Sequence, residues 1–173
     1  MINLYLIQNT KDEFIVFKER FIIKILVDGD ACPVKNIIIR IAKEYNIPVD
    51  IFIDSSHIYE NDYCNIFVIG KGKDAVDFAL INRTKENDII ITGDYGVATM
   101  ALSKKASAIH PNGFIYSNDN INRLLMERHI SGQARRAKKR YSKMKKRSID
   151  HDTKFENNFR KLILNTLSND INL

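Results

Sequence analysis

Residues 25–34 read Ile-Leu-Val-Asp-Gly-Asp-Ala-Cys-Pro-Val. An aliphatic run this short and continuous predicts a buried strand, since a surface helix would break it with polar residues. Pro33 suits the first turn of a helix, where no backbone N–H is needed. Asp28 and Asp30 therefore fall on the loop between the carboxyl end of a strand and a helix, the edge at which open α/β sheets bind ligands. Two carboxylates placed there repel each other unless a proton or a cation lies between them. Hard divalent ions such as Mg²⁺ take oxygen ligands of this kind. An Asp before a helix is often an N-cap, but capping uses one acid, so the pair points to a functional site.

A chain of 173 residues, 45% hydrophobic and 28% charged, is long enough for one full core and reads as a single globular domain. No apolar run approaches the roughly 18 residues of a membrane span, and no secretory signal is evident. Cys32 and Cys64 belong to no paired motif. The expectation is a reduced, cytoplasmic protein with no membrane partner. Its net charge of +6 is unevenly spread: Arg135, Arg136, Lys138, Lys139, Arg140, Lys143, Lys145, Lys146 and Arg147 lie together with no acid among them. The rest of the chain is mildly acidic. The basic segment suits either a solvated stretch or neutralisation of nucleic-acid phosphates.

The order of elements follows from pattern. Residues 1–22 carry no motif and read as an N-terminal extension, with Phe14 to Phe17 suiting an edge strand or a helix. Strands are expected over 23–27, 49–53, 64–69, 88–91 and 108–109. A helix is expected over 34–45, its apolar face at Val34, Ile37, Ile38, Ile41 and Ala42, and ends before Pro48. Gly70-Lys71-Gly72-Lys73 leads into a second helix. There Asp74 and Asp77 share a face; Asp74 suits an N-cap and Asp77 the first turn, where the helix dipole favours acids. Its two glycines lack the full spacing of a phosphate loop. Thr92-Gly93-Asp94 again ends a buried strand on a carboxylate, before a helix over 95–104. Pro111-Asn112-Gly113 signals a turn and a small hairpin. Ser117 can cap a helix running past Ile130, with Gly132 as a break. Thr153 to Glu156 fits a capping box, and Phe155, Phe159, Leu162 and Ile163 form an apolar stripe that should dock on the body. His57 reads as a solvated loop residue. Cys32 reads as a packing residue or an incidental redox-sensitive site.

This order argues a three-layer α/β domain with a mostly parallel sheet over 23–131, a basic segment over 132–151 and a C-terminal helix over 152–173. If the first and fourth strands are neighbours, Asp28, Asp30 and Asp94 converge at one sheet edge, and Asp74 or Asp77 can approach from a helix start. Such a cluster with a divalent metal makes phosphodiester cleavage possible; without a cation the acids would raise one another's pKa.

Val27-Asp28-Gly29-Asp30-Ala31-Cys32-Pro33-Val34 resembles the opening signature of the uncharacterised bacterial YaiI/YqxD family. Gly70-Lys71-Gly72 with Asp74 and Asp77, the 91–98 block, His110-Pro111-Asn112-Gly113, Asp119-Asn120-Ile121 with Leu125 and Arg128, and the Phe155-Glu156 and Phe159-Arg160-Lys161-Leu162 blocks are similar to its later motifs. The resemblance spans about residues 24–164. The usual signature has Asp-Ala-Asp, so Gly29 departs from it, with a looser backbone expected. The family is grouped with PIN-like folds, whose nuclease members hold Mg²⁺ or Mn²⁺ on a quartet of acids. The resemblance thus implies Asp28, Asp94 and one of Asp74 or Asp77 as metal ligands, with Thr92 as a supporting hydrogen-bonding residue. The family itself has no settled function, and fold analogy does not establish one.

Three functions follow as expectations. The leading one is a metal-dependent nuclease acting on RNA, with Asp28, Asp30 and Asp94 catalytic and residues 135–147 on the phosphate backbone. The second is a phosphatase resembling the haloacid dehalogenase group, with Asp28 as nucleophile and Asp30 as acid, although Ala31-Cys32-Pro33 does not match the Gly-Thr usual there. The third is a nucleic-acid-binding module without catalysis.

Overall fold

In a computed structural model, residues 23–30, 32–136 and 148–171 are described. The expectations for residues 1–22 and for the basic side chains from Arg135 to Arg147 fall outside what can be described. Arg135 and Arg136 enter only as the last backbone turn of a helix.

The fold is α/β, with a six-stranded sheet and five helices among the described residues, in chain order: β1 (Ile25–Asp28), α1 (Lys35–Tyr45), β2 (Val49–Asp54), β3 (Asn65–Ile69), α2 (Ala75–Arg83), β4 (Ile89–Ile91), α3 (Tyr95–Ser103), β5 (Ser107–Ile109), β6 (Ile115–Tyr116), α4 (Asn118–Arg136) and α5 (Ile149–Ile171). The strand order is β3-β2-β1-β4-β5-β6, with all pairs parallel except β5 with β6. That last pair is the hairpin expected from Pro111-Asn112-Gly113.

The aliphatic runs are buried because both sheet faces are covered. On one face Ile25, Val27, Ile51, Ile89, Ile91 and Ile109 meet α1 and α5; on the other Leu26, Phe52, Ile90 and Ala108 meet α2, α3 and α4. This period-two division gives the three layers. Phe155, Phe159 and Ile163 of α5 are fully buried, so the expected stripe does dock. Two ion pairs tie it to α1: Glu156 with Arg40 at 2.6 Å and Arg160 with Glu44 at 2.5 Å.

Three local expectations are corrected. Helix α4 passes through Gly132 without a break. Helix α5 starts at Ile149, so Thr153 lies inside it; Ser148 holds the entry instead, its N–H donating to His151 Nδ1 at 3.1 Å. Gly29 does not loosen the backbone. A Cβ there would come within 2.6 Å of Ile51 Cγ2, 2.8 Å of Ile53 Cγ2 and 2.9 Å of the Phe52 carbonyl, so the chain is pressed against β2.

Candidate functional site

Strand order reverses between β1 and β4, and a crevice opens at the carboxyl ends of strands at such a point. Ile25, Leu26 and Val27 pair with Ile89, Ile90 and Ile91. One residue further along both strands stand Asp28 and Thr92. Thr92 is fully buried, and its hydroxyl donates to Asp28 Oδ2 at 2.9 Å while accepting the Asp94 N–H at 3.0 Å. Its carbonyl accepts the Tyr116 hydroxyl at 3.2 Å. One threonine thus fixes the two strand ends to each other.

Capping accounts for one acid of this group. Asp94 is the N-cap of α3, and its Oδ1 accepts from Gly96 N–H at 2.7 Å and Val97 N–H at 3.3 Å. Its Oδ2 accepts from Arg128 Nη1 of α4 at 2.7 Å. Burial works to raise its pKa, but Arg128 and these N–H groups carry it below the usual carboxylate range. Neither Asp28 nor Asp30 caps α1, whose N-cap is Val34, without a side-chain cap bond. Asp74 does hold the N-cap position of α2, but its backbone is left-handed at φ 58° and its side chain makes no cap bond, contrary to the capping expectation.

The acids of the crevice act on one another. Burial raises Asp28, with Asp30 and Asp94 adding to the rise against the Thr92 bond and Lys35. Asp77, in the first turn of α2, is pushed up to about 6 by burial and then by Asp28, Asp94 and Asp74, with Arg128 opposing. Charge repulsion therefore links Asp77 to Asp28, Asp94 and Asp74, and Asp28 to Asp30 and Asp94. Asp30 lies to the side: its Oδ1 accepts the Asp54 N–H at 3.0 Å and sits 3.1 Å from His57 Nδ1. At the opposite end of the sheet, buried acids are instead matched. Asp50 meets Lys24 at 3.5 Å and Asn65 at 2.7 Å, and Asp88 accepts the Lys24 and Lys85 N–H groups.

A folded pKa raised above the unfolded value means that the folded state binds its proton more tightly. Asp77 therefore favours the fold below about pH 4, and that contribution is lost as pH rises through about 6. Asp77→Asn is expected to raise the melting temperature at pH 7.5 by about 2 °C, a small figure because solvent screens the site. The gain should fade at pH 4. Thermal melts at both pH values check this; an Asn variant less stable at pH 7.5 would contradict it.

Asp28 and Asp94 open onto a cleft of about 330 Å³, completed by Cys32, Pro33, Gly93, His110, Pro111 and Asn112. Cys32 is buried in the core beneath it. His110 accepts the Asn112 N–H on Nδ1 at 2.9 Å and stacks on Phe114 at 4.4 Å. A second hollow of about 410 Å³, between Asn36, Arg40, Lys43 and Asn61, is more open and has no carboxylate in its lining.

The donor chemistry suits a hard divalent cation: carboxylate oxygens, a surplus of negative charge, and repulsion on Asp28 and Asp77 that a cation would relieve. As arranged, no three His, Cys, Asp or Glu side chains among the described residues are placed to hold a metal together. Arg128 was not legible as a site residue, since it stands 34 positions from Asp94 and only the docking of α4 on α3 joins them. His110 stands only in a motif that resembles the family, with no role attached; the turn that follows it is what brings it to the cleft.

The family model described as "Uncharacterized BCR, YaiI/YqxD family" matches residues 26–165. A UPF0178 protein of Lachnoclostridium phytofermentans is 54% identical over 143 residues, covering 81% of this chain and 96% of that one. One from Clostridium acetobutylicum is 52% identical over 143 residues, covering 82% and 97%. One from Natranaerobius thermophilus is 41% identical over 141 residues, covering 82% and 96%. No solved structure matches. Among the described residues no helix is long and apolar enough to cross a membrane.

Proposed function

This chain belongs to the uncharacterised YaiI/YqxD family, and we propose that it is a divalent-cation-dependent nuclease acting on RNA. The observation that carries the reading is the placement of Asp28 and Asp94 on one cleft at the switch point of a parallel sheet, joined through Thr92. Asp28, Asp77 and Asp94 would hold Mg²⁺ or Mn²⁺, with Asp74 at the rim. Such an ion, when bound, lowers the pKa of a water ligand and stabilises charge on the leaving oxygen.

The chain's own groups supply position. Thr92 fixes the Asp28 carboxylate against β4, and the N-terminus of α3 orients Asp94. Residues 135–147 would neutralise phosphates along the strand. Asp30 has a supporting place in this scheme, because its contacts are with Asp54 and His57. The same contacts take the proposed acid of the phosphatase reading away from the cleft chemistry, so that reading gains no support.

The test is cleavage of labelled single-stranded RNA and DNA in Mg²⁺, Mn²⁺ and EDTA. Cutting of RNA that needs either ion and stops in EDTA is the expected result. Salt-sensitive binding without cutting in any ion would favour the binding module instead.

A further inference from the structure

The two edges of the sheet are unlike. β6 ends one edge with two residues, while β3 runs five residues along the other and pairs only with β2 among the described residues. Sheets commonly blunt an open edge with charge, proline or a short strand. β3 reads Asn-Ile-Phe-Val-Ile, with no charged residue and no proline, and its Val68 is 59% exposed. The outward backbone groups follow from one hydrogen bond. The Ile69 carbonyl accepts the Ser55 N–H at the end of β2, so Ile69 faces β2. Alternation turns Asn65 and Phe67 the same way, and it points the N–H and C=O groups of Ile66 and Val68 away from the sheet. We propose that a second copy of this chain pairs at this edge: the two β3 strands run antiparallel about a two-fold axis at Phe67, and the two sheets join into one.

The strand is complementary to itself in that register. An axis at Phe67 sets Ile66 opposite the partner's Val68, and Val68 opposite the partner's Ile66. These are the residues whose backbone groups point outward, and each such pair exchanges two N–H···O bonds. Ile66 packs on the core beneath α1 and α5, and Val68, two residues on, shares that face. The pairing therefore gathers the four aliphatic side chains of the two copies on one face. On the other face the two Phe67 rings meet across the axis. In each copy that ring is held by Phe52 at 5.0 Å and by Arg83, whose Cζ lies 4.1 Å from its centre. Charge selects the orientation. Exposed Glu60 and Asp62 precede β3, and exposed Lys71 and Lys73 follow it. Antiparallel strands bring the acids of each copy to the lysines of the other, whereas parallel strands would oppose like charges. Because both copies use the same edge, the assembly closes at two.

Sedimentation velocity of the full chain over a concentration series tests this, with thermal melts to check folding. Wild type should show a reversible monomer–dimer equilibrium. Val68→Lys places a charge in the paired edge at a position the monomer leaves exposed, and should raise the dissociation constant by more than about tenfold. Glu60→Lys with Asp62→Lys should also weaken the dimer, and adding Lys71→Glu and Lys73→Glu should restore it. In wild type, hydrogen exchange at the Ile66 and Val68 amides should slow as the dimer fills. A monomer at every concentration overturns the proposal, the edge then being left to solvent or to another occupant. So does a dimer that Val68→Lys leaves intact, growth beyond two copies, or a charge exchange that restores nothing.

Discussion

Replacing Gly113 by Ala is expected to destabilise the protein by about 3 kcal/mol, from backbone strain together with overpacking. Gly113 adopts φ +84°, a conformation that L side chains rarely take. A Cβ there would stand 2.5 Å from Phe155 N, 2.7 Å from Lys154 C and 2.8 Å from Phe155 Cα. These are backbone atoms of α5, so no side-chain rotation relieves the clash. The helix must move, and with it Phe155, Phe159 and Ile163, all fully buried. The Gly113 carbonyl also accepts from Asn158 Nδ2 at 2.7 Å, which ties the same turn to the same helix. For a chain of this size the melting temperature should fall by roughly 6–12 °C. Circular dichroism melts read this directly, and a fall under about 2 °C would contradict the close approach.

The second large effect falls on activity. Asp28→Asn is expected to reduce metal-dependent RNA cleavage by about 10³-fold, while Asp30→Asn stays within about tenfold of wild type. The two acids stand two residues apart, Asp28 at the end of β1 and Asp30 just beyond it, so sequence distance cannot separate them. Their surroundings do. Asp28 lies at the crevice with its pKa raised by burial and by Asp30 and Asp94, whereas Asp30 is turned to Asp54 and His57. Asn at position 28 can still accept the Thr92 hydroxyl bond, and it removes a charge that the fold holds at a cost, so stability should not suffer. Steady-state cleavage with melts alongside separates the effects. Equal losses in the two variants would sink this division of roles.

Much of the architecture was legible because both sheet faces are buried. Continuous runs such as Ile-Leu-Val and Ile-Ile-Ile have few structures open to them when helical stripes alternate with them. The pairing of β1 with β4 was legible only as a condition, since strand order depends on which face each helix covers. Given that pairing, Asp28 and Asp94 reach one cleft, whereas Asp30, expected to converge with them, is turned to Asp54 and His57. Helix limits were less legible. The residues around Gly132 and Thr153 carry break and cap signals, yet α4 and α5 run through them; at Thr153 the burial of Phe155 and Phe159 outweighs a local preference of about 1 kcal/mol. The clash at Gly29 depends on Ile51 and Ile53 of a neighbouring strand, and the Arg128 contact on the docking of α4. No local pattern carries either.

The most direct measurement is Mn²⁺ binding by electron paramagnetic resonance at pH 7.5, in wild type, Asp28→Asn and Asp77→Asn, with thermal melts as a check of folding. The account predicts saturable binding by wild type that is lost or greatly weakened in both folded variants. Mn²⁺ binding of equal strength in all three, or none in wild type, would contradict a cation site built from these carboxylates.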